Sequence, residues 1–598
     1  MIFLGINVSH GASACLMING VIKFVYQEER LTNIKNFTGY PKKSIDKIIN
    51  YLLKENLKVD IAAFSTINLV PFDFMFPKNH FFKIADYMNF YGDEFYSKKL
   101  KNKSVNEYLI KLKKDLRNNA NLYLPYNKVK KKDYFTNEKK FRKTQEEYLN
   151  HQSKKIIKKT IFLDHHSCHA NYAYFSIAKK QRLNNNICII TLDSEGDGLN
   201  QTVWIPTKDR RNIKKILSSS ECDLARIYKM TTLILGMKPD EHEYKVMGMA
   251  PYSKSDYSNE VYNHVFKNLL SVKNGKVIHN KRPKNLYEYL KKNLAPYRFD
   301  NICGAVQNLV EEVSKEIVIQ LHKKYKFTHF AISGGVSMNI KMNKVLADLN
   351  FVRKIYVSPT GSDESLSIGA CYSLSKDKSK EFKNIYLGQN LLENKNDTLK
   401  VLKNIFPKKK YKIYKNANEK IIAKLINNNQ IVAIANGQEE FGSRALGNRS
   451  IVANPSNFKN VKNINEMIKN RDFWMPFALS ILEDKHKKFI SNKKNISCPF
   501  MTIGFDTIEN KIDYIKAGTH PYDQTVRPQL LNKKSNKDYY NIIYEFYKLS
   551  GIPALLNTSL NLHGYPISST LKDVANTFIH SGLKYLYVNN KFLIKKNI

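Results

Sequence analysis

Ile187-Cys188-Ile189-Ile190-Thr191-Leu192-Asp193-Ser194-Glu195-Gly196-Asp197-Gly198 is the stretch that decides the fold. Six apolar or β-branched residues in a row make a strand of the buried type. They run into a polar, glycine-bearing turn, and Gln201 to Ile205 returns as a second strand. The same order opens the chain. Met1 to Val8 is β-rich, Ser9-His10-Gly11 is a turn, and Ser13 to Ile18 is a strand. Asn19-Gly20 is a hairpin signal, and Val21 to Glu28 is the third strand. Two such units predict a duplicated α/β domain with a cleft between its halves. Their turns face the cleft, where they can meet phosphates or metals.

Outward from these units the pattern changes. Residues 85–160 are Lys- and Tyr-rich with weak periodicity, which predicts a helical insertion with exposed loops. Helical patterns follow at 258–271 and 301–326. Thr328 to Ser333 is a strand running into Gly334-Gly335, Ile355 to Ser358 is another, and Ser367 to Tyr372 follows Asp363 as a helix. Residues 374–400 are charged and Asn-rich, with a boundary near Leu387-Gly388. A second α/β portion begins with helix 418–428 and strand Ile431 to Ala435. Two domains are expected, 1–386 and 387–598, in line with a length of 598 residues.

Composition bounds the function classes. Hydrophobic residues at 42% and charged residues at 25% are globular values. The formal charge of +44 would attract phosphates or nucleic acid. The lysines are scattered among Asn and Ile, however, without a stripe or an aromatic platform, so composition explains the charge better than a nucleic-acid footprint. The densest run, Lys128, Lys130, Lys131 and Lys132 with Lys139 and Lys140 nearby, reads as a solvated face. Seven widely spaced cysteines without a CxxC argue against a disulfide scaffold and fit a reducing cytoplasm. The first residues read as strands rather than as a signal peptide, and no uninterrupted apolar run is long enough for a spanning helix.

Four groups of residues could carry chemistry. In His165-His166-Ser167-Cys168-His169, His165 and His169 stand four apart, on one face of a helix, as two imidazole ligands of one metal would. A helix start capped by Asp164 explains the same residues equally well. Asp193 and Asp363, in turns, could add oxygen ligands, and such a set suits Fe, Mn or Zn. Gly334-Gly335 after a strand, followed by Asn339, could bring backbone N–H groups to a phosphate, although most such pairs are tight turns. Glu243 and Lys245, two apart before Gly248, could line a nucleotide cleft, with a solvated loop as the plainer reading. The stretch Gly437 to Ser450 holds Arg444 and Arg449 among three glycines, and arginine forks bind carboxylate or phosphate in bidentate fashion. Lys469, Arg471, His520, Arg527, Asn557 and Ser559 follow, so the last third gathers the donors that two anionic substrates need.

With these motifs in hand, the chain resembles the O-carbamoyltransferases that act on nodulation factors, aminoglycosides and cephems. The resemblance rests on LGINxxHxxSA, HHxxHA, DSEGDG, EHExKVMGMAPY, SGGVxMN, DExxxIGA, EFGSRALGNRSI, IKNRxxxxPF and NTSLN, in order along nearly the whole chain. It implies an N-terminal actin/hexokinase-like (ASKHA) domain and a C-terminal YrdC-like domain. It implies that the second domain forms carbamoyl-AMP from carbamoyl phosphate and ATP, and that the first passes the carbamoyl group to a hydroxyl of a sugar or natural product. Carried over by position, His165, His169, Asp193 and Asp363 would hold a metal, iron first, with Mn or Zn as alternatives and Mg accompanying ATP. His10 would be the general base. Gly334, Gly335 and Asn339, with Glu243 and Lys245, would hold nucleotide. Arg444, Lys469 and Ser559 would hold carbamoyl phosphate and the triphosphate, with Arg449, Arg471, His520, Arg527 and Asn557 beside them.

The chain departs from that family's pattern at Met475 and Gln438, where arginine or a similar cation is usual, at Gly11 in place of Asp, and at Tyr244 in place of Gly. Two other readings stand beside the first: a tRNA threonylcarbamoyl-transfer protein, motivated by the shared fold and the charge of +44, and a nucleotide-binding regulatory module of weak activity, motivated by Met475 and Gln438. Expected partners are carbamoyl phosphate, a hydroxyl-bearing small molecule and a second copy of the chain, without nucleic acid. The acceptor itself is written in no motif.

Overall fold

The structure is a computed structural model that describes residues 1–67, 82–92, 95–101, 103, 138–382, 384–392 and 398–597. The Lys128 to Lys132 run and much of the 85–160 insertion lie outside the described residues. The chain divides into two compact units, Met1–Phe382 and Lys383–Ile598, four residues before the boundary expected from composition.

The first unit is a duplicated α/β domain. Strands β1 (Ile2–Asn7), β2 (Ser13–Ile18), β3 (Val21–Gln27), β4 (Ile61–Phe64) and β5 (Thr160–Phe162) form one sheet in the order β3-β2-β1-β4-β5. Strands β6 (Ile187–Gly196), β7 (Leu199–Pro206) and β8 (Ile213–Ser219), then a hairpin of β9 (Leu270–Lys273) and β10 (Lys276–His279), lead to β11 (His329–Ser333) and β12 (Lys354–Val357). The second sheet has the order β12-β11-β6-β7-β8. In each sheet the first three strands are antiparallel and the last two run parallel to the first. Counted from its first strand, each sheet therefore reads 3-2-1-4-5, which is the duplication that the two strand-turn-strand units predict.

A helix follows the last strand of each sheet: His165–Phe175 after β5 and Leu366–Ser375 after β12. Both are buried on nearly all sides, the second as its apolar composition requires and the first with its histidines turned to polar partners. They approach closely because Gly369 has no side chain: a β-carbon there would stand 2.1 Å from the carbonyl oxygen of Cys168. This contact brings the N-terminal ends of the two helices, one from each half, to a common point.

The expected helix 301–326 is observed as Phe299–Tyr325. The pattern at 258–271 differs: a helix Ser255–Val261 passes into a wider turn Tyr262–Phe266, and the chain then enters β9. Glu243–Met249 is a helix rather than a loop, because Val246, Gly248 and Met249 are buried along it.

The second unit is built on one mixed sheet. Its strands are β13 (Tyr411–Tyr414), β14 (Val432–Ala435), β15 (Arg449–Ala453), β16 (Ala478–Leu482), β19 (Pro528–Leu531), β20 (Ala554–Ser559), β21 (Tyr585–Val588) and β22 (Phe592–Lys596), with β17 (Phe505–Asp506) and β18 (Thr525–Val526) pairing separately. The sheet order is β13-β22-β21-β14-β15-β20-β16-β19. A core including Ala433, Ile451, Leu556, Phe578, Leu586 and Ile594 covers one face. The α/β reading thus holds for both units. Among the described residues, no helix is long and apolar enough to cross a membrane.

Candidate active site

The two helix starts of the first unit meet at a cluster of four side chains. His165 and His169 come from the first helix, Asp193 from the end of β6, and Asp363 from the turn before the second helix. Asp164 caps the first helix by accepting the Ser167 N–H at 2.7 Å. The capping reading of this motif is therefore realised, and the cap leaves both imidazoles facing the two carboxylates. Nε2 of His169 lies 3.2 Å from Asp193 Oδ2 and 3.6 Å from Asp363 Oδ1. Nε2 of His165 lies 3.7 Å from Asp363 Oδ1 and 3.9 Å from Asp193 Oδ2. Both Nε2 atoms are buried and make no hydrogen bond.

This arrangement fits a metal ion. One ligand atom from each of the four residues lies within 4.8 Å of the others. Ligands on opposite sides of a first-row ion stand about 4.2 Å apart at ordinary bond lengths, so the set closes on an ion by moving a few tenths of an ångström. Burial opposes a charge on His165, but the carboxylates of Asp363, Asp193 and Asp197 outweigh it and raise the pKa to about 9. Burial likewise works against the charge on Asp193, and the two histidines overcome it and hold the carboxyl well below its usual range. His166, between the two ligands in sequence, turns away. Its ring nitrogens meet Thr191 Oγ1 at 2.6 Å and the Leu199 carbonyl at 3.0 Å, and burial, with the charge of His165, lowers its pKa to about 3.

The outer supports of this cluster carry little sequence signal. Asp193 Oδ2 accepts the Gly335 N–H at 2.9 Å, and the Gly334 N–H goes to the Gly361 carbonyl at 2.8 Å. In the Gly334-Gly335 turn, with Gly334 at φ +94°, the Gly335 N–H thus holds a candidate ligand and the Gly334 N–H closes the turn onto Gly361, in keeping with the tight-turn reading of this pair. His169 Nδ1 lies 3.3 Å from Ser333 Oγ, a partner that orients the ring. Asp197 Oδ2 accepts the His165 N–H at 2.7 Å.

His10 stands in the turn after β1. Its Nδ1 is buried without a hydrogen bond, and its backbone bridges Thr38. Asn339 caps the helix Ile340–Asp348 and pairs its amide with that of Gln307 at 2.9 and 3.1 Å. Tyr228 and Glu311 complete that polar group through Gln307, at 3.0 and 2.8 Å. Glu243 opens its helix and accepts the Asp240 N–H at 2.7 Å, with Lys245 two residues on.

The second unit gathers a separate set around the end of β20. Lys469, 4% exposed, donates to Asn561 Oδ1 at 2.6 Å and to Ser559 Oγ at 3.1 Å. Arg471 donates to Thr558 Oγ1 at 3.1 Å, and its guanidinium lies 4.8 Å over the Phe477 ring. Asn557 and Ser559, two apart on one strand, share a face. Asn557 Nδ2 donates to the Ala445 carbonyl at 3.1 Å, so the loop carrying Arg444 crosses the same strand end, and its Oδ1 is buried without a hydrogen bond. The thiol of Cys498 donates to the Pro528 carbonyl, next to Arg527, while the charge of Arg444 acts on the same thiol. His520 closes its own turn, with Nδ1 accepting the N–H groups of Tyr522 and Asp523.

Arg449 is a correction. It is fully buried, and all five of its N–H groups reach backbone carbonyls, among them Ser569, Asn436, Asn448 and Gly437. It braces the glycine-rich loop and has no donor left for nucleotide. Gln438 likewise donates to the Gly388 carbonyl.

Residues 2–372 match the family described as carbamoyltransferase N-terminus, and residues 423–596 match carbamoyltransferase C-terminus. The chain belongs to the carbamoyltransferase family. This carbamoyltransferase is 30% identical over 600 residues to the uncharacterized protein MJ1051 of Methanocaldococcus jannaschii, covering 99% of each chain. It is 28% identical over 446 residues to the nodulation protein NolO of Bradyrhizobium diazoefficiens, covering 73% of this chain and 79% of that one. Among solved structures, the activator of the 2-hydroxyisocaproyl-CoA dehydratase from Clostridium difficile aligns with 63% of this carbamoyltransferase and 96% of its own chain, at 12% identity and a TM-score of 0.31.

Proposed function

We propose that this carbamoyltransferase makes carbamoyl-AMP from carbamoyl phosphate and ATP and transfers the carbamoyl group to a hydroxyl of a sugar or natural product. The observation that carries the reading is the second unit's cation set, Lys469 and Arg471 held on the hydroxyls of Ser559 and Thr558. A family named for carbamoyl transfer needs such a set only where its substrates are strongly anionic. Water splits carbamoyl phosphate, releasing phosphate and leaving carbamate. A carbamate oxygen then attacks the α-phosphorus of ATP, and the bond to pyrophosphate breaks. Lys469, Arg471, Arg444 and Arg527 offset the charge on these oxygens.

In the first unit the acceptor oxygen attacks the carbonyl of carbamoyl-AMP, AMP leaves, and His10 takes the hydroxyl proton. Glu243, Lys245 and the Asn339–Gln307 pair flank the nucleotide. A divalent ion held by His165, His169, Asp193 and Asp363 would supply Lewis acidity toward the phosphate or the carbonyl. The test is direct: purified protein with carbamoyl phosphate, ATP and a divalent metal should release phosphate and pyrophosphate and accumulate carbamoyl-AMP. Absence of carbamoyl-AMP under those conditions would overturn the reading.

A further inference from the structure

We infer that Asn7 is a positioning residue that holds the His10 turn and the carboxylate of Asp363 in a fixed relation. The inference rests on the transfer chemistry proposed for the first unit. Asn7 ends β1 and is fully buried. Its Nδ2 donates to the Asp363 carbonyl at 2.9 Å, to the His10 carbonyl at 3.0 Å and, more weakly, to the Gly11 carbonyl at 3.4 Å. Its Oδ1 accepts Ser9 Oγ at 2.8 Å, the Ser9 N–H at 3.1 Å and Ser65 Oγ at 3.3 Å. Ser9 Oγ in turn stands 2.9 Å from Asp363 Oδ2, the carboxylate oxygen other than the one nearest the histidines. One amide thus spans 356 positions of sequence, with the candidate base on one side and a candidate metal ligand on the other.

The duplication gives this placement a second support. β1 and β6 hold the same position in their sheets, and Asn7 ends one while Asp193 lies near the end of the other. Ser65, after β4, touches Asn7, while Ser333, ending the matching strand β11, touches His169. One half of the repeat supplies a carboxylate at this point. The other supplies a neutral amide, whose N–H groups can grip carbonyl oxygens that a carboxylate would repel.

The test uses the full chain, with free Mn2+ followed by electron paramagnetic resonance and the two partial reactions assayed separately. Asn7→Asp keeps the size and the acceptor but replaces the donor. It should weaken Mn2+ binding at least tenfold and slow carbamoyl transfer from supplied carbamoyl-AMP at least a hundredfold, while adenylate formation stays within twofold of wild type. With Mn2+ saturating for each variant, adding His10→Ala to Asn7→Asp should slow transfer no further than His10→Ala alone. Wild-type Mn2+ affinity in Asn7→Asp, or equal loss of both partial reactions, overturns the inference. If Asn7→Asp does not fold, Ser9→Ala decides: Mn2+ binding weakened about threefold or more supports the inference, and unchanged binding overturns it. A wild-type chain that binds Mn2+ but makes no carbamoyl-AMP counts against the proposed function instead, and leaves the metal readout for Asn7 intact.

Discussion

Gly196 lies flat against the imidazole of His165: a β-carbon at Gly196 would stand 2.1 Å from Cδ2 and 2.6 Å from Nε2 of that ring. Side-chain atoms do not approach so closely, so any larger residue must displace the ring. Gly196→Ala should therefore weaken divalent-metal binding at least tenfold, measured by titration calorimetry. Formation of carbamoyl-AMP by the second unit should be unchanged. Wild-type metal affinity in this variant would show that His165 is not a ligand.

Arg449 and Arg444 should separate stability from chemistry. Arg449→Ala leaves several buried carbonyls without a donor, at about 1–3 kcal/mol for each group left unpaired. A large fall in the melting temperature is expected, or loss of folding. Arg444, half-buried in the same loop, should tolerate alanine in a melting experiment while adenylate formation falls at least tenfold. Similar melting temperatures for the two variants would contradict this division.

Lys469→Met keeps the apolar stem and removes the ammonium that holds Asn561 and Ser559. Release of pyrophosphate should drop by two orders of magnitude or more, whereas transfer from supplied carbamoyl-AMP should persist. Loss of both partial reactions would place Lys469 in the scaffold rather than in anion binding.

Glu243 should tie stability to pH. Burial, then the neighbouring Asp240 carboxylate, push its pKa up to about 7, against relief from backbone N–H groups and Lys229. A carboxyl raised in the folded state contributes stability fully below its ordinary pKa, and that contribution is lost as pH rises through about 7. Between pH 5 and pH 8 the wild-type melting temperature should fall more steeply than that of Glu243→Gln. Parallel curves for the two proteins would refute the assignment.

The juxtaposition of His165, His169, Asp193 and Asp363 was legible because its parts follow local rules. The spacing of His165 and His169 needs only helical geometry, while Asp193 lies near the end of strand β6 and Asp363 in the turn after β12. The duplication was legible for the same reason, since strand, turn and strand recur in order. Arg449 misled because a guanidinium in a glycine-rich loop reads alike whether carbonyls or phosphates receive its protons. Gly335 misled similarly: its N–H does meet an anion, but that anion is the side chain of Asp193. Asn7 gave no signal, because its principal partner is Asp363, in the other half of the repeat.

The brace at Arg449 has an evolutionary consequence. It grips main-chain oxygens, which every amino acid supplies, so this hold on the loop does not depend on the side chains strung along it. Positions such as Gln438 and Arg444 can then drift or be selected without the ribbon beneath them moving. A lineage with this arrangement can retune what the loop touches by single substitutions.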